Sequence, residues 1–548
     1  MKFFEAGKHM FKRMSFCCLI VLLFSSAHAF WAEETFSHLS RDEKIGQLFM
    51  IAVRPLLGSD HLKKVESLII DYHVGNIIIF KTDPQSQVAL INYFQGISTL
   101  PLMVGQDCEW GLAMRLENTI AFPKNITLGA ITDDKLMYQV GYEIGKQCGQ
   151  VGVHINFAPV VDINSNPLNP VIGIRSFGDD KKNVAQKGVA FMCGMQDAGV
   201  LACAKHFPGH GDTNVDSHVA LPVIKHNLQT ILDEDIYPFK ALIDAGVASV
   251  MIAHLEVPAL QEHCPATLSP NIITTLLRHK LNFNGLIVSD AFEMKGLSRY
   301  YTQENAVLQA LKAGIDLIVC PENVPDVIAF LRQAIDEGKI TQKEIDEHVL
   351  RILRYKEMLK LNESKKCFVE EKNIIERLNT ETAQHLKYKL YQAALTSVTN
   401  TQQLIPLQKN KKSVGVIAIT NKHINYDFSR FGAFKEIQPI FDNEQALLII
   451  NNFKHIDTII VFLASLDQNT SMFSPVKTIA SSLIDLFNQL NTDNKKLVFV
   501  VCTSPYALQF LQKEETVLIA YEYAPETIDI ALDAVFGRII PNGKMPIN

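Results

Sequence analysis

Several absences narrow the reading of this 548-residue chain before any motif is considered. It has no C-x-x-C, no low-complexity tract and no block of like charges. Beyond the N-terminus no stretch reaches about 18 uncharged apolar residues, the length needed for a helix to span a bilayer. A basic face is also missing: the formal net charge is −6, which argues against a nucleic-acid partner. Eight cysteines remain beyond Cys17 and Cys18, scattered from Cys108 to Cys502, several inside apolar runs such as LACAKHF and DLIVC. That scatter excludes a zinc knuckle and a disulfide framework, and predicts buried thiols acting as small hydrophobes.

What is present describes a globular protein: 47% hydrophobic and 20% charged residues, on a chain too long for one ordinary core. Lys8, Lys12 and Arg13 precede the apolar run FCCLIVLLF, and Ala27-His28-Ala29 has the small-x-small pattern of a signal-peptidase site. Residues 1–29 are therefore read as a signal peptide, with an uncleaved anchor as the alternative. The mature chain is expected to be exported, periplasmic or secreted, with no membrane span.

Eight short apolar runs alternate with amphipathic segments over residues 45–320: 45–53, 74–80, 101–107, 153–163, 200–207, 247–254, 285–291 and 313–320. Strands of this buried type alternating with helices predict a parallel β/α barrel or a doubly wound sheet, and the count of eight favours a (β/α)8 TIM-type barrel over 30–362. A charged helical linker (363–400) comes next. A second α/β series over 401–548 predicts a smaller α/β/α sandwich, with no G-x-G-x-x-G or P-loop to bind a nucleotide.

Asp107, Asp162, Lys205–His206, His254 and Asp290 all lie at the C-terminal ends of barrel runs. Those ends face the active site of a β/α barrel. Any one such aspartate could merely cap the next helix, but five strands ending alike point to a site. The most crowded stretch is KHFPGHGDTNVDSH, residues 205–218. Pro208, Gly209 and Gly211 predict that it is neither regular helix nor central strand but the loop after the fifth strand, made mobile by its glycines.

His206, His210 and His218 with Asp212 and Asp216 resemble a metal-ligand list, but Pro208 and Gly209 break the helix an H-x-x-x-H pair would need. Acid–base chemistry fits better. Asp216 and His218, two apart, place a carboxylate beside an imidazole and raise its pKa into a usable range; a turn-capping role for Asp216 is the alternative. Asp290, after the apolar GLIVS, is the best candidate nucleophile, with Glu293 weaker. A carboxylate nucleophile with a separate acid is the arrangement of retaining glycoside hydrolysis, although such enzymes usually pair two carboxylates.

These residues resemble glycoside hydrolase family 3 in its β-N-acetylglucosaminidase branch. The resemblance rests on KHFPGHGDT followed by DSH, on VSDAFEMKG, on RSFG (175–178), on MIAH (251–254), and in the second domain on SPYAL (504–508) and FGRIIPNGKMPI (536–547). It implies Asp290 as the nucleophile, His218 as acid/base with Asp216 as its partner, and Asp107, Arg115, Arg175, Lys205 and His206 as the clamp on a terminal sugar. It further implies no metal, no organic cofactor, and a carbohydrate substrate with a terminal β-linked GlcNAc, often in peptidoglycan fragments. A β-glucosidase of the same family is the runner-up; such relatives usually take the acid/base from a second-domain carboxylate. An inactive carbohydrate-binding homologue would lack Asp290 or the dyad, and both are present. The family's D-x-E-G-G-R departs here to DCEWGL (107–112), placing Trp110 where it could stack on a sugar or fill a gap.

Overall fold

A computed structural model describes residues 31–215, 221–363, 368–407, 414–420, 439–440, 456–464, 496–511 and 515–548. The expected signal segment, Asp216 and His218 lie outside the described residues.

Eight parallel strands form the first sheet: β1 (Phe49–Val53), β2 (Asn76–Ile79), β3 (Met103–Gln106), β4 (Ile155–Asn156), β5 (Leu201–Phe207), β6 (Ser249–Ile252), β7 (Leu286–Ser289) and β8 (Ile318–Val319). Their order is β8-β1-β2-β3-β4-β5-β6-β7. A bridge between Val288 and Leu317 joins the two ends. Strands such as NIII and LIVS are buried throughout, because one face fills the barrel and the other lies under helices. The covering helices show the complementary pattern. In Ser59–Ile70, Val65 and Ile69, one turn apart, are buried while Lys63 and Lys64 are exposed. Their starts are encoded locally: Asp83 accepts from Ser86 N–H at 2.9 Å ahead of Pro84, and Asp180 from Asn183 N–H at 2.7 Å.

All eight apolar runs supply barrel strands, so the (β/α)8 expectation holds. The first run begins earlier than its strand, since Ile45–Gln47 closes the helix Arg41–Gln47, started by a Ser40/Glu43 capping box. The crowded stretch also differs from expectation: Lys205, His206 and Phe207 are the last residues of β5, and the loop begins only at Pro208. The β5–β6 register shifts between Ala204 and Phe207, which lets the strand continue up to that proline.

The second sheet contains β9 (Thr396–Thr399), β10 (Val414–Thr420), β11 (Pro439–Ile440), β12 (Thr458–Ala464), β13 (Lys496–Cys502) and β14 (Thr516–Ile519), in the order β9-β14-β13-β12-β10-β11. Only β9 runs antiparallel to its neighbour. It falls within the stretch expected to be helical, after the helices Ile374–Leu378 and Glu381–Ala394. Alternate residues separate the two faces of this sheet. Ile459, Val461 and Leu463 join the apolar cluster that runs on into the barrel, whereas Ile460, Phe462 and Ala464 pack with the helices Glu381–Ala394 and Pro525–Val535. Five of the seven described cysteines are buried. Among the described residues no helix is long and apolar enough to cross a membrane.

One buried carboxylate ties the barrel's closure. Asp316 accepts Ile287 N–H at 2.9 Å and Arg278 Nη2 at 3.0 Å, binds His348 Nδ1 at 2.8 Å, and pairs with Arg351. Burial pushes its carboxyl up, but His348, Arg351 and Arg278 hold it below the ordinary value. Its contribution is therefore present above the unfolded pKa and lost as pH falls through the folded one. Asp316→Ala is expected to cost about 3–5 kcal/mol, the range for removing one partner of a buried ion pair, read by denaturant unfolding at neutral pH.

Candidate active site

The C-terminal ends of the strands open into a cavity of about 650 Å³ lined by Asp107, Glu109, Arg115, Arg175, Lys205, His206, Asp290 and Glu293, with Phe80, Met251 and Cys320 among its apolar walls. Each charged group is placed by a short local device. β3 ends at Gln106, and the turn after it sends Asp107 and Glu109 to the same side, two residues apart. Lys205 and His206 are delivered by β5, and Asp290 stands one residue beyond β7, its Oδ1 accepting the Ala291 N–H at 2.8 Å.

Opposite charges alternate across the mouth. Arg115 Nη2 donates to Asp107 Oδ2 at 2.7 Å, and Lys205 Nζ bridges Asp107 Oδ1 at 3.0 Å and Glu109 Oε1 at 2.9 Å. Arg175 closes the chain with two bonds to Glu109, Nη2 at 2.7 Å and Nε at 3.0 Å. Glu109 is 1% exposed. Burial would raise both carboxyls, yet Lys205 and Arg115 bring Asp107 down to about 2 and Arg175 and Lys205 hold Glu109 far below its ordinary value. The same pairing outweighs burial at Lys205 and Arg175, which stay firmly protonated.

His206 is oriented from behind. Its Nδ1 lies 2.7 Å from Asp162 Oδ2, and Asp162 also accepts the His206 N–H at 3.2 Å and the His210 N–H at 2.7 Å. With Nδ1–H on Asp162, Nε2 is left to accept from Arg175 Nη2, 3.4 Å away. At Asp290, burial raises the carboxyl, but the His206 and His254 rings, the Ala291 N–H and Lys205 bring it below its ordinary value of 3.8. A carboxylate held ionised on the floor of a cavity ringed by fixed donors can attack an electrophilic carbon or stabilise positive charge.

All six described residues expected at the site (Asp107, Arg115, Arg175, Lys205, His206 and Asp290) line this cavity. Asp216 and His218 lie outside the described residues, while the chain leading to them is laced down: Asn169 Nδ2 donates to the carbonyls of His210 and Gly211 at 2.8 and 3.0 Å, and Asn166 Nδ2 to Thr213 O at 3.3 Å. In sequence Gly211 suggests mobility, but a Cβ there would fall 1.6 Å from Ile163 O, so its role is close backbone approach. His210 also lines the cavity, its Nδ1 3.0 Å from Thr213 Oγ1, and burial pushes its ring down to about 4.

Sequence reasoning gives no role to Glu109, although its spacing from Asp107 is a usable signal. It also passes over Arg54 at the end of β1, which pairs with Glu293 at the cavity. Trp110 is absent from the lining; Lys124 Nζ lies 5.3 Å from its ring centroid instead, a cation–π contact.

A polar cavity of this size at the C-terminal mouth of a (β/α)8 barrel, lined by paired charges and an ionised carboxylate, has the place and make-up of an enzyme's active site. The model of the glycosyl hydrolase family 3 N-terminal domain matches residues 40–355, and the chain belongs to that family: it is a glycosidase. It is 31% identical over 440 residues to beta-hexosaminidase A of Pseudoalteromonas piscicida, covering 72% of each chain. It is 30% identical to a beta-N-acetylglucosaminidase/beta-glucosidase of Cellulomonas fimi, over 61% of this chain and 60% of that protein. Among solved structures, a family 3 beta-N-acetylglucosaminidase from Paenibacillus sp. str. FPU-7 superposes with a TM-score of 0.79 at 30% identity, over 93% of this chain and 99% of that one.

Glu109→Gln is expected to cost about 3 kcal/mol of stability, because it takes from buried Arg175 its paired carboxylate and leaves Lys205 with Asp107 alone. Thermal denaturation reads the loss, and KM for any glycoside the enzyme accepts should rise with it.

Proposed function

We propose that this enzyme is an exo-acting retaining β-N-acetylhexosaminidase that removes terminal, non-reducing β-linked GlcNAc. The observation that supports this most is Asp290, an ionised carboxylate facing the same cavity as Asp107, Arg115, Arg175, Lys205 and His206. In this reading those five groups hold the hydroxyls of the terminal sugar. His218, paired with Asp216, gives its proton to the glycosidic oxygen as Asp290 attacks the anomeric carbon; the C–O bond to the leaving group breaks and a glycosyl-enzyme ester forms. His218 then takes a proton from water, water displaces Asp290, and the second inversion restores the β configuration. The chemistry calls for no metal or organic cofactor. The apolar N-terminal segment with AHA (27–29) supports export, and amino-sugar glycans released from peptidoglycan are substrates in keeping with it.

Wild type is expected to release nitrophenol from the aryl β-GlcNAc glycoside with EDTA present, and Asp290→Ala to lower kcat by about a thousandfold or more. Proton NMR of the first-formed sugar should show the β anomer; an initial α anomer would sink the retaining mechanism. Since Asp290 must be ionised to attack and its carboxyl is held below its ordinary value, the acid limb it places on kcat/KM should have its midpoint at lower pH than an ordinary aspartate would give. A broader β-glycosidase is the second reading, favoured by the double name of the Cellulomonas fimi relative. The ratio of kcat/KM for the aryl β-GlcNAc and β-glucoside substrates separates the two.

A further inference from the structure

We infer that the second domain braces the sugar clamp from behind, and that Tyr506 is a positioning residue acting on Arg175 through Asn164. The inference rests on the reading that Arg175 holds the substrate. Among the described residues, none beyond Glu322 lines the cavity, so the described part of the second domain contributes no wall to it. Arg175 itself ends a single 3-10 turn, Gly173–Arg175, in an otherwise irregular segment between β4 and the helix Lys181–Asp197. A clamp held to a few tenths of an ångström needs rigid support, and a segment with so little regular structure cannot supply its own.

Three parts of the second domain supply it. The Tyr506 hydroxyl accepts a 2.6 Å bond from Asn164 Nδ2, and Asn164 Oδ1 in turn accepts the Gly173 N–H at 3.1 Å, where the turn begins. The Asn164 N–H also reaches Gly178 O at 3.0 Å and so closes the segment's base. Just past Arg175, Pro546 O accepts the Asp179 N–H at 3.1 Å and the Asn548 N–H donates to Asp179 Oδ2 at 2.8 Å. The approach there is so close that a Cβ on Gly178, at φ +141°, would sit 2.0 Å from Pro546 O. From the other side, Glu522 Oε1 accepts the Lys124 N–H at 2.8 Å and Thr127 Oγ1 at 2.6 Å, fixing the short helix Asn125–Gly129. Asn125 Nδ2 then donates to the Arg175 carbonyl at 2.6 Å.

The main chain at Arg175 is thus held through Asn164 and through Asn125, each anchored by a side chain of the second domain. Asn169, within the same segment, bonds the carbonyls of His210 and Gly211, so the brace extends to the loop leading toward Asp216 and His218.

Tyr506→Phe tests this in the full chain, because it removes one oxygen and no packing volume. Hydrogen exchange of peptides covering 164–178 should accelerate, and KM for the aryl β-GlcNAc glycoside should rise about 3- to 30-fold, the range for one lost buried hydrogen bond. Little change in kcat is expected, and a fall in Tm of no more than a few degrees. Asn164→Ala should do the same, and the double variant no more than Asn164→Ala alone, as a single path requires. Glu526→Gln, which breaks a second-domain ion pair with Lys387 away from this segment, should keep the wild-type KM. Unchanged exchange in Tyr506→Phe overturns the brace; faster exchange with wild-type KM, or additive effects in the double variant, overturns the path to Arg175. If wild type fails on the GlcNAc glycoside but hydrolyses the aryl β-glucoside, the glycon reading falls and the same KM comparison is made there. If wild type hydrolyses neither, the functional reading falls, and exchange alone decides the brace.

Discussion

Glu109 carries a full negative charge in a position with almost no access to water, and the mouth of the barrel is organised by that constraint. An uncompensated buried charge costs several kcal/mol, so two cations must reach it at once. Lys205 arrives from β5 and Arg175 from the segment after β4, while Asp107 on the same turn as Glu109 takes the second bond of Lys205 and hands on to Arg115. Three places far apart in sequence, 107–115, 175 and 205, are thereby locked to one another before any substrate enters. The donors and acceptors at the mouth are thus already oriented, and in the proposed reading a sugar hydroxyl would meet them with little reorganisation left to make.

Electrostatics then sort the acidic groups by environment. Asp162 is surrounded by backbone N–H groups and an imidazole, which makes it a fixed acceptor that orients His206. Asp290 faces the cavity with cationic and polar neighbours but makes no ion pair of its own among the described residues, so its carboxylate stays charged and available. Asp316, on the far side of the sheet ends, is saturated by four partners and serves closure of the barrel. Three aspartates associated with strand ends thus have three different fates, decided by how many donors each already satisfies.

The strand pattern was legible because a barrel strand is buried on both faces, and an unbroken run such as NIII or LIVS has no other stable place in a water-soluble fold. Most of the site was legible for a related reason: polar residues ending apolar runs have to emerge at one end of a parallel barrel. The edge strand Thr396–Thr399 was not legible, since four residues reading TSVT carry neither length nor a strong alternation of hydrophobicity. Its pairing with β14 is a decision of the neighbouring chain. Likewise Gly211 reads as a hinge in sequence, and only the carbonyl of Ile163 beside it shows that the glycine is there to let two loops touch.

By itself the sequence determined the barrel, the set of ionisable groups at its mouth and the kind of chemistry they support, because periodicity and the chemistry of side chains are local properties. What only the tertiary structure decided is which charges meet. Glu109 as the hub of the clamp, Arg54 as the partner of Glu293, Trp110 turned from the cavity toward Lys124, and Tyr506 reaching Asn164 across the domain boundary all depend on distances between segments remote in the chain. Hydrogen bonds and ion pairs are contact interactions, effective over a few ångströms, and no one-dimensional pattern carries that separation.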